Sequence, residues 1–391
     1  MAEVLARTGN EVFAEAMRQI EPDVVAAYPI TPATEIVQIF SSFVADGLVK
    51  TEFVAVESEH SAMSAVIGAS AAGARAMTGT SSQGLMLMAE MLPIASALRL
   101  PIVMAVVNRA ISGPINIHCD HSDTMFVRDS GWIQIYAENC QEAYDNMLQA
   151  VKIAEKIKLP VMVSTDGFII SHGMEGVEIF DDKTVKDYVG PYQPATNLLD
   201  TDNPITVGSL DLQDYYFEHK RPIAQAMIDA KKVILDEAKA FKAKFGRSYD
   251  MVEAYKLDDA EIAIVVIGST AGTAKDVIDE LRAAGVKAGM LKIRVYRPFP
   301  HEDIVEKLKK LKAVAVMDRV DAYNGFCTPT YMEVSAALQH AGVKLPIINY
   351  VYGLGGRDVS LDHIRQVFTD LGAVASGKKT IGEYQFIGLR E

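Results

Sequence analysis

The chain has 391 residues, 49% of them hydrophobic, with a formal net charge of −13. A chain this long and apolar buries a large core and exceeds the common single-domain size, so two or three globular domains are expected. The acidic balance, with a pI near 5.2 and no basic tail or cluster, disfavours nucleic acid and anionic membranes as partners.

The N-terminus "MAEVLARTGNEVFAEAMRQI" carries acidic residues early and no apolar stretch followed by a cleavage site. No window approaches the roughly 18 apolar residues of a membrane span, so the chain reads as cytoplasmic, without a membrane partner. Cys119, Cys140 and Cys327 lie far apart, which suggests neither a disulfide framework nor a Cys-x-x-Cys metal site. Three scattered thiols also fall short of a four-cysteine iron–sulfur cluster.

From residue 24, short apolar runs alternate with helical stretches: "VVAAYPI", "EFVAV", "ARAMTGT", "PIVMAVV", "WIQIYA" and "PVMVST" predict strands. Runs of this kind, apolar on both faces and separated by helices, indicate a doubly wound parallel α/β sheet. The intervening "HSAMSAVIGASAAG" is rich in small residues, which allow close approach to a sheet or to another helix. Residues 167 to about 220 lose the pattern, and "KRPIAQAMIDAKKVILDEAKAFKAKFG" then reads as a long amphipathic connector helix. A second α/β block opens at "EIAIVVIG" and continues through "VKAGMLKIR", "AVAVMDRV" and "PIINYVYG". The expected division is residues 1–250, excursion and connector included, and residues 258–391.

Several strand ends carry polar residues of chemical interest. In "AYPITPAT" the strand ends at Ile30, Thr31 is expected as a helix N-cap and Pro32 at the first helical position. Carboxyl ends of strands are where open α/β sheets bind ligands, and helix N-termini favour anions, so a plain cap and a binding site both stay open here. "AVESEHSAM" places Glu57, Glu59 and His60 after the next strand, where acids also simply complement a helix dipole. Arg109 ends the strand 101–108 and suits bidentate capture of a carboxylate, or a surface ion pair. His118, Cys119, Asp120, His121 and Asp123 crowd one loop. A transition metal is conceivable there, but the irregular spacing favours a polar loop without metal. "VIGSTAGTAKDV" and "YGLGGRD" are glycine-rich without completing a phosphate-binding motif, so tight packing is their default reading.

Taken together, "AAYPITPATEI", "VESEHSAMSAVIGASAAGARAMTGTSSQG", "LPIVMAVVNRA", "NIHCDHSDTM", "RDSGWIQIY" and "LPVMVSTDGFIISH" closely resemble the α subunit of pyruvate:ferredoxin oxidoreductase, of the 2-oxoacid:ferredoxin oxidoreductase family. "IRVYRPFP" and "YGLGGRDVS" extend the resemblance to nearly the whole chain. It implies a pyrimidine-binding domain of the thiamine diphosphate enzyme type followed by a transketolase C-terminal-like α/β domain. The implied reaction converts a 2-oxoacid such as pyruvate and coenzyme A, reversibly, to acyl-CoA and CO2, with electrons passed to ferredoxin.

The resemblance also assigns roles. Glu59 matches the glutamate that hydrogen-bonds the cofactor's aminopyrimidine, with Tyr28 and Pro29 beside it. Thr31 and Arg109 match the residues that hold the substrate carboxylate. Residues 28–35, 57–60 and 109–123 would then form a site at an α–β subunit interface. No "GDG" followed by an asparagine fixes Mg2+ and a diphosphate; the nearest string, "STDGFIISHG", departs from that pattern. This agrees with a β subunit that brings the diphosphate end, Mg2+ and the nearest 4Fe-4S cluster, and with smaller γ and δ subunits that bring the rest. Other expectations in play are the same chemistry on 2-oxoisovalerate, 2-oxoglutarate or oxalate, a non-catalytic scaffold subunit, and a nucleotide-binding protein using "GSTAGTA".

Overall fold

Most of the apolar runs become strands buried on both faces, while "EFVAV" forms an edge strand, Glu52–Ala55, with no buried residue. The computed structural model describes residues 2–194, 196–378 and 384–390. Its strands are β1 (Glu3–Thr8), β2 (Val24–Ala27), β3 (Glu52–Ala55), β4 (Ala76–Thr80), β5 (Val103–Asn108), β6 (Ile133–Tyr136), β7 (Val161–Asp166) and β8 (Met174–Ile179). They continue with β9 (Val252–Tyr255), β10 (Ile262–Val266), β11 (Ala288–Ile293), β12 (Val295–Arg297), β13 (Ala313–Asp318), β14 (Ile347–Val351) and β15 (Gln385–Phe386). "VMAVVN", "VMVSTD", "IAIVV" and "AVAVMD" are buried at every position, as parallel strands between two helical layers must be.

Two large sheets result, in the orders β12-β6-β7-β5-β4-β2-β3 and β15-β14-β13-β10-β11-β9. Each is parallel except at one edge, where β12 runs antiparallel to β6 and β9 antiparallel to β11. In the first sheet the chain steps from β2 outward to β3, then crosses to β4 on the other side of β2. That reversal opens a crevice above the carboxyl ends of β2 and β4. In the second sheet the same reversal falls between β10 and β13.

Helix starts follow local chemistry. Thr8 and Glu11 form a capping box on helix Gly9–Ile20, and Asn139 accepts from the Glu142 N–H to start Cys140–Ile157. The connector is a helix from Tyr216 to Phe245. It buries Ile223, Ala230, Ile234 and Phe241, and Phe245 stacks on Phe180 with ring centroids 4.1 Å apart. The region that loses its pattern after residue 167 is more ordered than composition indicates. There β8 pairs with β1 in an antiparallel ribbon, Glu3 opposite Ile179, and helix Asp182–Val189 follows. A pairing across some 170 residues leaves no local trace in the sequence.

Candidate functional site

At the end of β2 the chain makes a tight turn, Ala33 N–H donating to the Ile30 carbonyl at 2.8 Å, with a cis peptide bond between Thr31 and Pro32. The expected cap is overturned: the helix runs Thr34–Ala45 with Ala33 as N-cap and no side-chain cap bond. The turn closed by Ala33 takes up residues 30–33, so the helix begins three residues past Thr31. The Pro32 carbonyl is also taken by Asn10 Nδ2 at 2.8 Å. Thr31 is exposed at the corner of this turn, as are Tyr28 and Pro29 before it.

After β3, Ser58 caps the helix Glu59–Ala71 by accepting from the Ser61 N–H. This start sends three neighbouring polar side chains different ways. Glu57 accepts from the Ser61 hydroxyl at the surface, and His60 pairs with Glu90 at 3.3 Å. Glu59 turns inward and is 6% exposed. Among the described residues its carboxylate has no hydrogen bond or ion pair. It faces Gly84, where a methyl group would stand 2.6 Å from Glu59 Oε1 and 2.4 Å from Thr80 Oγ1. Thr80 Oγ1 and the neighbouring Ser81 hydroxyl are buried without a partner. A buried carboxylate, two unsatisfied hydroxyls and a missing side chain form a cradle for a polar ligand edge, since such groups are normally paired.

Arg109, at the end of β5, is 8% exposed. Its Nε donates to the Asn116 carbonyl and its Nη1 to the Thr31 carbonyl, each at 2.9 Å. No carboxylate lies within salt-bridge distance of it among the described residues. Burial lowers the pKa of its guanidinium, and Asp123 works against this. Thr31 and Arg109 are thus brought together, though through the threonine's backbone rather than its hydroxyl.

Asp123 joins the turns after β4 and β5. Its Oδ2 accepts from the Ser82 and Arg109 N–H groups at 3.0 Å each, and its Oδ1 from Asn108 Nδ2 at 2.8 Å. Burial pushes its pKa up to about 6 against these donors. Ser82, held by Asp123 and by its own bond to the Ala110 carbonyl at 2.7 Å, has φ +46°, a conformation uncommon outside glycine. The Glu59 cradle and the Arg109 turn are therefore fixed to each other.

The polar residues of the 118–123 loop do not all converge on one point: Cys119 and His121 meet at Asp166, and the others turn elsewhere. His118 is exposed, its ring 4.9 Å from that of Phe168. Asp120 accepts from Ser122 and from the Gly355 N–H. His121 Nε2 meets Asp166 Oδ1 at 2.7 Å. Asp166 is the residue that motif reading missed. Its Oδ2 accepts from the Ser269 N–H at 3.0 Å, and a methyl at Gly268 would come within 2.8 Å of its Oδ1. Burial raises the Asp166 carboxyl, but His121 and Arg319 more than offset that and hold it well below the usual range. Ligand atoms of Cys119, His121 and Asp166 lie within 4.8 Å of one another. Asp166 is already saturated by donors, however, and burial keeps the Cys119 thiol protonated. The turn "GSTAG" thus has its anion from within the chain, and the crevice of the second sheet is filled by Asp166 and His121.

The chain matches the family described as pyruvate flavodoxin/ferredoxin oxidoreductase, thiamine diP-bdg, over residues 15–239, and pyruvate:ferredoxin oxidoreductase core domain II over residues 260–364. It is 56% identical to pyruvate synthase subunit PorA of Thermotoga maritima, with 100% of this chain and 99% of that one covered. It is 41% identical to ketoisovalerate oxidoreductase subunit VorA of Pyrococcus abyssi, covering 98% and 97%. Its fold is shared, with a TM-score of 0.73 at 21% identity, by a 2-oxoglutarate:ferredoxin oxidoreductase from Magnetococcus marinus solved with 2-oxoglutarate, coenzyme A and succinyl-CoA bound. That match covers 94% of this chain, which spans 65% of the other. No helix among the described residues is long and apolar enough to cross a membrane.

Proposed function

Because this chain belongs to the pyruvate flavodoxin/ferredoxin oxidoreductase family, we propose that it is the α subunit of a heteromeric pyruvate synthase. The complex would convert pyruvate and coenzyme A, reversibly, to acetyl-CoA and CO2, with electrons passed to ferredoxin. The observation that carries this reading is that a buried carboxylate, Glu59, and a buried guanidinium, Arg109, neither with an ion-pair partner among the described residues, follow the ends of β3 and β5, the strands that flank the β2–β4 crevice.

Thiamine diphosphate, when bound, supplies the nucleophilic carbon that attacks a 2-oxoacid ketone and holds the electron pair left by decarboxylation. The residues present fit its pyrimidine end. Glu59 offers an acceptor to a ring N–H and favours the protonated ring, Gly84 leaves the space, and Tyr28 and Pro29 border the approach. The diphosphate end, Mg2+ and the nearest 4Fe-4S cluster belong, in this reading, to a β subunit, with further γ and δ subunits carrying electrons onward. The exposed Ile115 and Ile117 on the loop after Arg109 would be covered by β. We place the functional division at residues 1–250, holding Glu59, Thr31 and Arg109, and 258–391. A methyl at Gly84 would crowd Glu59 Oε1. Gly84→Ala is therefore expected to weaken thiamine diphosphate affinity of the complex at least about tenfold, by equilibrium titration, with assembly intact.

Arg109 fixes the substrate carboxylate with the N–H groups left over from Thr31 and Asn116, and the Thr31 hydroxyl adds a neutral donor. One cation and one neutral donor complement a monoanion. They hold it without locking in the charge that must leave as CO2. A second carboxylate on the substrate would find no further cation on Thr31, which favours pyruvate over 2-oxoglutarate. The higher identity to the pyruvate synthase subunit than to the ketoisovalerate one supports the smaller side chain. In a steady-state assay of the whole complex, kcat/KM for pyruvate is expected to exceed that for 2-oxoisovalerate by about 10- to 100-fold. A preference for the branched acid would overturn the substrate assignment.

A further inference from the structure

Arg109 is held by two backbone carbonyls. Neutral acceptors leave its full positive charge for an incoming anion, which a carboxylate partner would cancel. A carbonyl is only as fixed as the loop that carries it, however, and residues 111–118 form neither helix nor strand. What fixes this loop comes from the second sheet. Asn116, whose carbonyl receives Arg109 Nε at 2.9 Å, donates through its own Nδ2 to the Gly355 carbonyl at 3.0 Å. Its Oδ1 accepts from the His118 N–H at 2.7 Å, and the Ala110 N–H donates to the His118 carbonyl at 3.0 Å. On the other side, the Gly356 N–H donates to the Cys119 carbonyl at 2.6 Å. The glycines of this turn are required: Gly355 has φ +59° and Gly356 φ +78°. A methyl on the first would stand 2.4 Å from Asn116 Nδ2 and on the second 2.3 Å from His118 Cβ.

We propose that Asn116 is a positioning residue through which the Gly355–Gly356 turn of the second sheet sets the Arg109 guanidinium. The C-terminal half of the chain thereby sets the grip on the substrate carboxylate, although it contributes no side chain to it. This rests on the reading of Arg109 as the carboxylate ligand. A misplacement of about 1 Å costs a bound substrate much of its productive geometry, so the effect belongs to pyruvate and not to coenzyme A.

The test is steady-state kinetics of the assembled complex carrying Asn116→Ala, Gly355→Ala, Arg109→Lys, or Arg109→Lys with Asn116→Ala, with assembly checked by size-exclusion chromatography. Asn116→Ala and Gly355→Ala are each expected to raise the KM for pyruvate about tenfold, with a smaller change in kcat and an unchanged KM for coenzyme A. In the Arg109→Lys background, Asn116→Ala is expected to add nothing, because the Nε bond it serves is already gone. If Arg109→Lys raises the pyruvate KM while both other single variants stay within about twofold of wild type, the role of Asn116 is refuted alone. A pyruvate KM unmoved by Arg109→Lys refutes the reading of Arg109 itself. Equal rises in both KM values, or additive effects in the double variant, would make Asn116 a general structural element and overturn the proposal.

Discussion

Glu59→Ala, introduced into the assembled complex, is expected to lower pyruvate-dependent ferredoxin reduction by about 10²- to 10⁴-fold, the range removed with a positioned proton-transfer partner. The same substitution is expected to leave the thermal midpoint of the isolated chain unchanged or slightly raised. The reason is that Glu59 is buried without a partner among the described residues, and an unpaired buried carboxylate costs stability. Loss of activity without loss of stability separates a site residue from a packing residue. Glu59→Gln keeps the shape but cannot favour a protonated ring as a carboxylate does, so it should lose nearly as much activity. Activity near wild type in either variant would remove Glu59 from the mechanism.

The largest effect on stability is expected far from that crevice, at Lys292. Its ammonium, 2% exposed, lies 2.5 Å from Glu138, 2.7 Å from Glu142 and 2.5 Å from Glu253. Burial pulls Lys292 down, but Glu142, Glu138 and Glu253 more than offset this and hold it above the usual lysine range. Lys292 stands on β11, Glu253 on β9, Glu138 just before and Glu142 in the first turn of the helix Cys140–Ile157, so one cation ties the second sheet to a helix start that follows β6 of the first. Lys292→Met leaves three close carboxylates, of which Glu138 and Glu253 keep Lys275 as an ion-pair partner and Glu142 loses its ion pair. It is expected to destabilise the chain by about 3–5 kcal/mol, the cost of breaking a buried ion pair from one side, read as a lowered urea midpoint. Adding Glu142→Gln should recover part of it. A midpoint unchanged by Lys292→Met would show that the cluster relaxes to water.

How much of this was legible varies by residue for physical reasons. The central strands of both sheets were readable because a parallel strand between helical layers is buried on both faces and so reads as a near-continuous apolar run, as "VMAVV" and "AVAVM" do. Arg109 and Glu59 were readable as polar residues at carboxyl ends, where the topology opens a crevice. The Thr31 cap failed because the chain makes one further turn, Ala33 N–H to the Ile30 carbonyl, before the helix begins at Thr34. The Pro32 carbonyl, moreover, has a distant partner in Asn10. The glycines of "GSTAG" and "YGLGG" signalled close approach, but not that the approaching groups would be Asp166, Asn116 and His118 of the same chain. Lys292 lies inside a fully buried strand. A charge there announces a buried partner, but two of its three partners, Glu138 and Glu142, come from far earlier in the sequence, at a helix start of the first domain.

The short strand Val295–Arg297 has a further consequence. It belongs to the C-terminal half of the sequence, yet it lies along β6 of the first sheet and so occupies what would otherwise be an open row of backbone donors and acceptors. Ile133–Tyr136, which it shields, is buried throughout. A fragment ending after the connector helix would present that row, apolar and unguarded, to other copies of itself, and exposed edges of this kind seed aggregation. That edge of the first sheet is thus guarded by three residues encoded after the N-terminal half.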